Sequence, residues 1–548
     1  MHRVLRIAEI VSLISQEIDF SSLPSFARVC KTFTDPALDV LWSEQEDLAN
    51  ILRCMPAGIW NESPEDSDSD SEDEDGTTWT LNRPVARSDW DRSLYYAHRV
   101  KFFQYNDGPS SPRYPNPCTP KFLDCLHLCF PDPCIFPNLQ TLHWHFERGL
   151  TFAHIRLFLG PCLHTLSVAV LQSIAHLSFL PFLAAACPLL KVVGVECSDE
   201  LDGRNSVSSL ISGLCHLESV NLPYLNNSAL EHIARLPRLR SLTLLDQRPL
   251  DPFPPTVFLN IILFTRLSKL NIHGDGVSSI VPLLTLMVHA PLVNIDVTIP
   301  TDSPAVAFAQ CYSALAHHCL RSHSSLKVLN CSRPMTPSAT PTNTTIANHV
   351  VTGSQFSPLL SFSNVTAVHL SAPVGFDLDD ITVANLATAW PRLRQLCIFS
   401  DVFVNPPSRI TLNGLLAIAQ HCRHLVSLTL PIDASLAPRW PQPRDHKTGG
   451  KRIRQNSLRR WQVERSPISN PLLVASFLSS VFPGLTTIIT DQEYKHNSYS
   501  PEARIELAEA LAFHEKWKTA EAALPLLRKA RNEERGWTKL ACAEKQDA

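Results

Sequence analysis

Cys118, Cys125, His127, Cys129 and Cys134 are the residues of this chain whose types and closeness most resemble a metal site. Structural zinc draws on paired CxxC or on histidines a helical turn apart. This stretch has no such pair, and FLDCLHLCF has the amphipathic character of a core segment. Its cysteines therefore read as core residues. His317, His318, Cys319 and His323 form a weaker group near an expected helix end. Asp379 and Asp380 are paired carboxylates, but they open the segment DLDDITVANLATAW, where negative charge favours a helix N-terminus and needs no catalytic role. Cys30 sits on an apolar stripe, where a thiol stays protonated and unreactive. GxSxG, HExxH and GxxxxGK[ST] are absent from the sequence. GDGVSS, with Gly274 and Gly276, lacks the third glycine of a dinucleotide loop, and KTGGK lacks the upstream glycine of a phosphate loop. The expectation is a protein that is not an enzyme, with no catalytic, cofactor or metal centre. Ser67, Ser69 and Ser71 lie among carboxylates and are candidate phosphorylation sites, where a phosphate would add charge to an already extended segment.

The chain has 548 residues, 44% of them hydrophobic, and a net charge of −4. That length calls for several domains or a repeat array. The run Glu62 to Asp75, ESPEDSDSDSEDED, is acidic without a basic residue, so the rest of the chain is close to neutral. No strongly basic face exists for non-specific nucleic-acid binding. The 16 cysteines are scattered singly through apolar segments, and the opening MHRVLRIAEIVSLISQEID does not read as a signal peptide. Reduced cysteines and a cytoplasmic or nuclear location, or both, are expected. The most apolar stretch, SFLPFLAAACPLLKVVGV, holds two prolines and a lysine and is no membrane span.

One phrase, x-Leu-x-x-Leu-x-Leu, recurs as NLQTLHW, CLHTLSV, LLKVVGV, HLESVNL, RLRSLTL, RLSKLNI, PLVNIDV, SLKVLNC, NVTAVHL, RLRQLCI and HLVSLTL, with GLTTIIT as a further copy. The first copies are spaced near the leucine-rich-repeat period of about 20–29 residues, and later ones lie further apart. The second and third apolar positions point the same way from a short strand. Helical stretches lie between the strands. In NNSALEHIARL, Ser228 with Glu231 makes a capping box; in TLNGLLAIAQHC, Thr411 stands as the cap. One strand and one helix cannot bury their faces alone, whereas stacked neighbours can.

At the N-terminus, Ile7, Ile10, Val11, Ile14 and Ile18 form one helical stripe. Ser22 caps a second helix with Pro24 in its first turn, and Phe26, Val29, Cys30 and Phe33 form its stripe. Asp35-Pro36 opens a third, with Leu38, Leu41 and Trp42. Three such helices make a core too small to stand alone and carry more apolar side chains than they can hide, so a partner or the repeat body should cover the rest. This segment resembles an F-box: Ile7, Ile10 and Ile14, then Ser22-Leu23, then Val29-Cys30-Lys31 with Phe33, then Leu41-Trp42. It lacks the usual Leu-Pro start, having Ile7-Ala8-Glu9, and has Phe33 where Trp is common. With the repeats behind it, the chain resembles F-box proteins with a leucine-rich-repeat-like body, of a type found in large fungal families.

The expected fold is α/β, a three-helix F-box-like segment followed by a leucine-rich-repeat-like solenoid with a curved parallel sheet and outer helices. The expected divisions are 1–50 for the box, 51–92 for an acidic disordered linker, 93–490 for the solenoid with inserts at 332–358 and 436–467, and 491–548 for a helical tail. The resemblance implies a substrate-recognition subunit of a Skp–cullin–F-box ubiquitin ligase. Ile7, Ile10, Ile14, Leu23, Val29, Cys30 and Phe33 would meet the Skp-type adaptor, and through it a cullin ligase, while the repeats hold an unidentified protein target. No membrane and no specific nucleic acid is expected as a partner. The alternative is a non-catalytic repeat scaffold whose N-terminal helices cap the solenoid. The acidic linker Glu62 to Asp75, read as separating the helices from the array, argues against that cap.

Overall fold

The computed structural model describes residues 3–64, 77–106, 120–130, 132–145, 152–171, 173–197, 203–248, 262–300, 303–332, 346–372, 374–400, 408–438, 453–490 and 501–544. They fall into two compact units, Met1–Leu245 and Asp246–Ala548. Both are α/β and built on the leucine-rich-repeat plan. In the first unit, Glu44–Gln45, Phe102–Asn106, Thr141–His145, Thr165–Leu171, Val192–Cys197, Ser219–Leu222 and Ser241–Gln247 pair in that order, all parallel. In the second, the parallel order is Lys269–Gly274, Asn294–Thr298, Val328–Ser332, Ala367–Ala372, Gln395–Ser400, Ser427–Thr429, Arg460–Glu464 and Thr487–Thr490. Helices such as Asn227–Ala234, Ala305–His318 and Pro471–Val481 run between consecutive strands and bury one side.

The repeating phrase explains this packing. Its first apolar positions, Leu139, Leu163, Leu190, Leu217, Leu239, Leu267, Leu292, Leu326, Val365, Leu393, Leu425 and Leu485, are all 0–1% exposed. The paired positions that follow, such as Leu142 with Trp144 and Ile295 with Val297, are buried too, while residues between them turn to the other face. Burying each such side chain contributes about 1.5–3 kcal/mol. The backbone adds its own ladder just before each strand. One carbonyl accepts from two successive amides of the next repeat: Lys101 from Gln140 and Thr141, Gln140 from His164 and Thr165, Lys191 from Glu218 and Ser219, Val293 from Lys327 and Val328, and Thr366 from Arg394 and Gln395. The turn polar groups are thereby satisfied inside the array.

Several local expectations are corrected. The helix Asn227–Ala234 is capped by Asn226, whose side chain accepts from Ala229 N, in place of Ser228. The helix Gly414–His421 starts later than Thr411, whose hydroxyl donates to Asp380 Oδ2 at 2.7 Å and so is committed to the neighbouring repeat. Asp379 does cap Asp380–Ala389, accepting from Thr382 N at 2.8 Å. The 332–358 insert is ordered at its far end, where Val351–Thr352 pairs with Phe376–Asp377 and Phe356 is buried. The 436–467 insert contains a repeat of its own: Leu458, Trp461 and Val463 occupy the phrase's buried positions in and before Arg460–Glu464. Val100, Phe103 and Tyr105 do the same for Phe102–Asn106. Aromatic side chains fill the leucine positions in both copies.

The span 51–92 is no simple linker. Trp60–Pro64 and Thr77–Leu81 form an antiparallel pair, and Trp79 packs against Trp60 and Phe122. Ser67, Ser69 and Ser71 lie outside the described residues. The acidic run therefore begins within the first strand of a hairpin that follows the first sheet strand, with Glu62 opposite Trp79.

A candidate docking surface on the N-terminal helices

Helices α1 (Ala8–Glu17), α2 (Leu23–Ala27) and α3 (Lys31–Leu41) form the segment under question. Both α1 and α2 pack on α3. The helix α3 begins at Lys31, earlier than Asp35-Pro36 implies, and takes Pro36 into its body. Thr34 Oγ1 donates to Ala27 O at 2.9 Å and ties the entry of α3 to the end of α2. The core between them is Leu23, Ala27 and Ala37, bordered by Ile18, Phe26, Val40 and Leu41. Phe26 stacks on Phe33 at 4.6 Å. Val11 and Ser15 are the buried residues of α1, and Ser15 Oγ donates a hydrogen bond to Val11 O at 2.8 Å.

The seven residues singled out in the sequence separate into two groups. Leu23 (1% exposed) and Phe33 (8%) are core. Ile7 (46%) and Val29 (65%) are exposed, and Ile10, Ile14 and Cys30 are half-buried. The exposed set is joined by Leu13 (62%) and Phe20 (66%). Ile7, Leu13, Phe20 and Val29 are thus four large apolar side chains that this small helical segment leaves to solvent.

The segment is held to the first repeats by a hub that the sequence reading did not identify. Arg99 lies just after the helix Asp91–Ala97 and has a nearly buried side chain. It donates to Asp35 Oδ1 at 2.7 Å, to Asp39 Oδ1 and to Tyr95 Oη, and it stacks over the Tyr95 ring. Burial works against its charge, but Asp35, Asp39 and Tyr95 together outweigh that, and the guanidinium is held above its ordinary pKa. Trp42 stacks on Tyr96 at 4.4 Å. The one available signal was on α3 itself: Asp35 and Asp39 stand one turn apart and invite a single cation.

The helices then run straight into the sheet. Ser43 O accepts from Lys101 N and Phe102 N at 2.8 and 2.9 Å, the same rung pattern that the Lys101, Gln140 and Lys191 carbonyls make in the repeats that follow. Glu44–Gln45 pairs with Phe102–Phe103. No linker separates helices from array, so that argument against a cap is withdrawn by the structure. Beside this strand lies a cleft of about 500 Å³ lined by Phe20, Leu41, Trp42, Glu44, Gln45, Asn50 and Phe102, among others.

Of the cysteine–histidine stretch, Cys134 is buried, Cys125 and Cys129 are half-buried and His127 is exposed, so the core reading holds in full for Cys134 alone. Cys125, His127 and Cys129 lie on Pro120–Cys129, and Cys118 is outside the described residues. His154 approaches Asp124 at 3.4 Å and the His127 ring at 6.2 Å. Burial pushes the His154 pKa down; Asp124 opposes this and His127 adds to it. Among the described residues, no three or more His, Cys, Asp or Glu side chains come together as a metal site. His323 Nε2 donates to Ala316 O at 2.8 Å, and burial pushes the Cys319 thiol up to about 12. Cys311 and Cys422 are pushed to about 12 and Cys187 to about 11 for the same reason. Such thiols are protonated at neutral pH and are poor nucleophiles. No described helix is long and apolar enough to cross a membrane.

No family model matches the chain, and no curated protein matches its sequence. Similar solved structures include a leucine-rich-repeat protein of Leptospira interrogans, at 14% identity over 69% of this chain and 89% of that one, with a TM-score of 0.29. The mouse RP105/MD-1 complex follows at 12% identity over 75% and 63%, with a TM-score of 0.35. The leucine-rich-repeat-containing protein LegL7 from Legionella pneumophila follows at 11% over 63% and 90%, with a TM-score of 0.27. The repeat architecture is carried by this chain's own register, buried phrase positions and carbonyl ladder.

Proposed function

We propose that this protein is a non-catalytic adaptor of the F-box kind. Its N-terminal helices dock on a Skp-type protein and so reach a cullin ligase, and its repeats hold a protein target. One observation supports this reading above the rest: Leu13, Phe20 and Val29 are more than 60% exposed, and Ile7 46%, on a segment whose inner residues Leu23, Ala27 and Ala37 are already packed. The mechanism is proximity, in which one chain raises the effective concentration of target at the transfer machinery without new chemistry.

The second reading is a repeat scaffold whose helices cap the first repeat. The direct passage from α3 into Glu44–Gln45 and the Arg99 hub favour it. The test is binding of the full chain to a purified Skp-type adaptor, beside Val29→Asp and Leu13→Asp. A fragment of the helices alone would lose Arg99 and Tyr96, so the full chain is the proper sample. The adaptor reading expects tight binding that both variants lose while staying folded. A folded full chain that ignores the adaptor leaves the scaffold reading in its place.

A further inference from the structure

In the second unit, the turn before the strand Thr487–Thr490 and the helix Pro501–Glu544 gather four arginines. Arg459 Nη1 donates to Gly484 O at 3.2 Å, and Arg528 Nη2 donates to the next carbonyl, Leu485 O, at 2.6 Å. Two guanidiniums on successive carbonyls are neighbours. Gln455 N donates to Val481 O at 2.8 Å, and a Cβ on Gly484 would collide with Asn456 O, so the stretch 454–459 lies directly on that turn. At its other end Arg454 faces Arg535. Partial burial and the charge of Arg535 both hold the Arg454 guanidinium below its ordinary pKa. Arg535 Nη1 meets only the Asn532 side chain, at 3.5 Å. Arg528 and Arg535 are seven residues apart, two turns along one helix face, or about 10.5 Å. Among the described residues, none of the four meets a carboxylate. Glu521 shares their face but is engaged by Ile488 N and Lys518. Glu533 and Glu534 stand roughly 140° and 120° around the helix from Arg528.

Like charges gathered without a counter-charge penalise the empty surface and favour an anion. We propose that this band binds an acidic segment of a partner protein, with one carboxylate between Arg459 and Arg528 and a second between Arg454 and Arg535. A guanidinium that spends one N–H on a carbonyl keeps others for a carboxylate. An extended or polyproline II chain rises about 3.1–3.4 Å per residue, so acidic side chains three residues apart span the two pairs. A lone phosphate is too small to do so. Nucleic acid fits less well: the exposed Trp537 is two residues from Arg535, points the other way round the helix and offers the band no stacking platform. The band would serve an adaptor or a scaffold alike.

The probe is a fluorescein-labelled peptide of Glu-Gly-Ser repeats, titrated against the full chain by anisotropy beside a Gln-Gly-Ser peptide and a single-stranded oligonucleotide of equal charge. The glutamate peptide is expected to bind about tenfold tighter than the glutamine one, the scale of a charge-assisted hydrogen bond, and to lose this advantage as salt rises. Arg454→Gln with Arg535→Gln should remove the preference, and Arg454→Lys with Arg535→Lys should keep most of it. Relief of the repulsion between the two should leave the melting temperature of the glutamine variant unchanged or raised. Should that variant melt early, Arg454→Gln alone, at an exposed position, must lower the preference. Equal binding of the two peptides, a preference that survives the glutamine variant, or tighter binding of the oligonucleotide overturns the site. The box helices belong to the first unit, so adaptor binding is read separately.

Discussion

The first repeat of the first unit and the last repeat of the second are closed by helices in opposite ways. At the C-terminal end, the 44-residue helix Pro501–Glu544 lies against the last repeat. Trp517 is fully buried, meets Trp461 at 5.4 Å and donates to Ser466 O at 2.8 Å. The helix also serves the backbone of the edge strand: Ile488 N donates to Glu521 Oε1 at 2.8 Å, and Lys518 Nζ donates to Ile488 O at 3.0 Å. At the N-terminal end, the edge strand is only Glu44–Gln45, and the Gln45 amide satisfies Glu44 O at 2.7 Å. The helices there are clamped by Arg99 yet leave Phe20, Leu13 and Val29 exposed. A sheet edge left open is a template for unwanted pairing. The first arrangement covers such an edge and satisfies both the amide and the carbonyl of Ile488. The second secures its helices and still presents apolar surface, which is why the docking role is placed there.

The largest expected effect tests the sealed end. Trp517→Ala removes a fully buried aromatic and should cost about 3–5 kcal/mol. Hydrogen exchange should report this as lost protection across Arg460–Glu464 and Thr487–Thr490, with the first unit little changed. Uniform exchange in both units, or none, would contradict the local seal.

Next comes the clamp. Arg99→Met keeps the stem and removes the charge. Asp35 and Asp39 are more than half exposed and regain water, so the cost is about 1–2 kcal/mol. The loss should appear as faster exchange in α1–α3 while the sheet strands hold. If α1–α3 keep their protection, Arg99 does not position them and the Trp42–Tyr96 stack does. Glu521→Ala comes third: it leaves Ile488 N without its carboxylate partner and should cost about 1 kcal/mol, read by the same exchange at that strand.

The plan of the fold was readable because each copy of the phrase repeats the same demand, two same-face apolar residues and one in the preceding turn. The copies at Leu458–Val463 and Val100–Tyr105 escaped notice because Trp and Phe take the leucine places and Arg459 and Arg460 lend the former a loop-like composition. Caps were legible as a residue class but not as a position. Asn226, Asn227 and Ser228 all qualify locally, and Thr411 was drawn away by Asp380, a residue of another repeat. The Arg99 hub is a long-range event that joins α3 to a loop far along the chain, so only its acidic half could be seen. The division of the seven box residues into core and surface likewise depends on how the helices cross.

The smallest effect on stability is the sharpest test of the comparison. Val29 is 65% exposed, so Val29→Asp buries no charge and should change stability by no more than about 0.5 kcal/mol. Its effect on partner binding should be large, because a carboxylate placed in a covered apolar contact loses its water without gaining a mate. The same exchange on the C-terminal helix, Leu526→Asp, also at an exposed position, should leave both stability and adaptor binding unchanged. Equal tolerance of the two substitutions would mean that exposure at Val29 is as idle as at Leu526 and that both ends are simply caps.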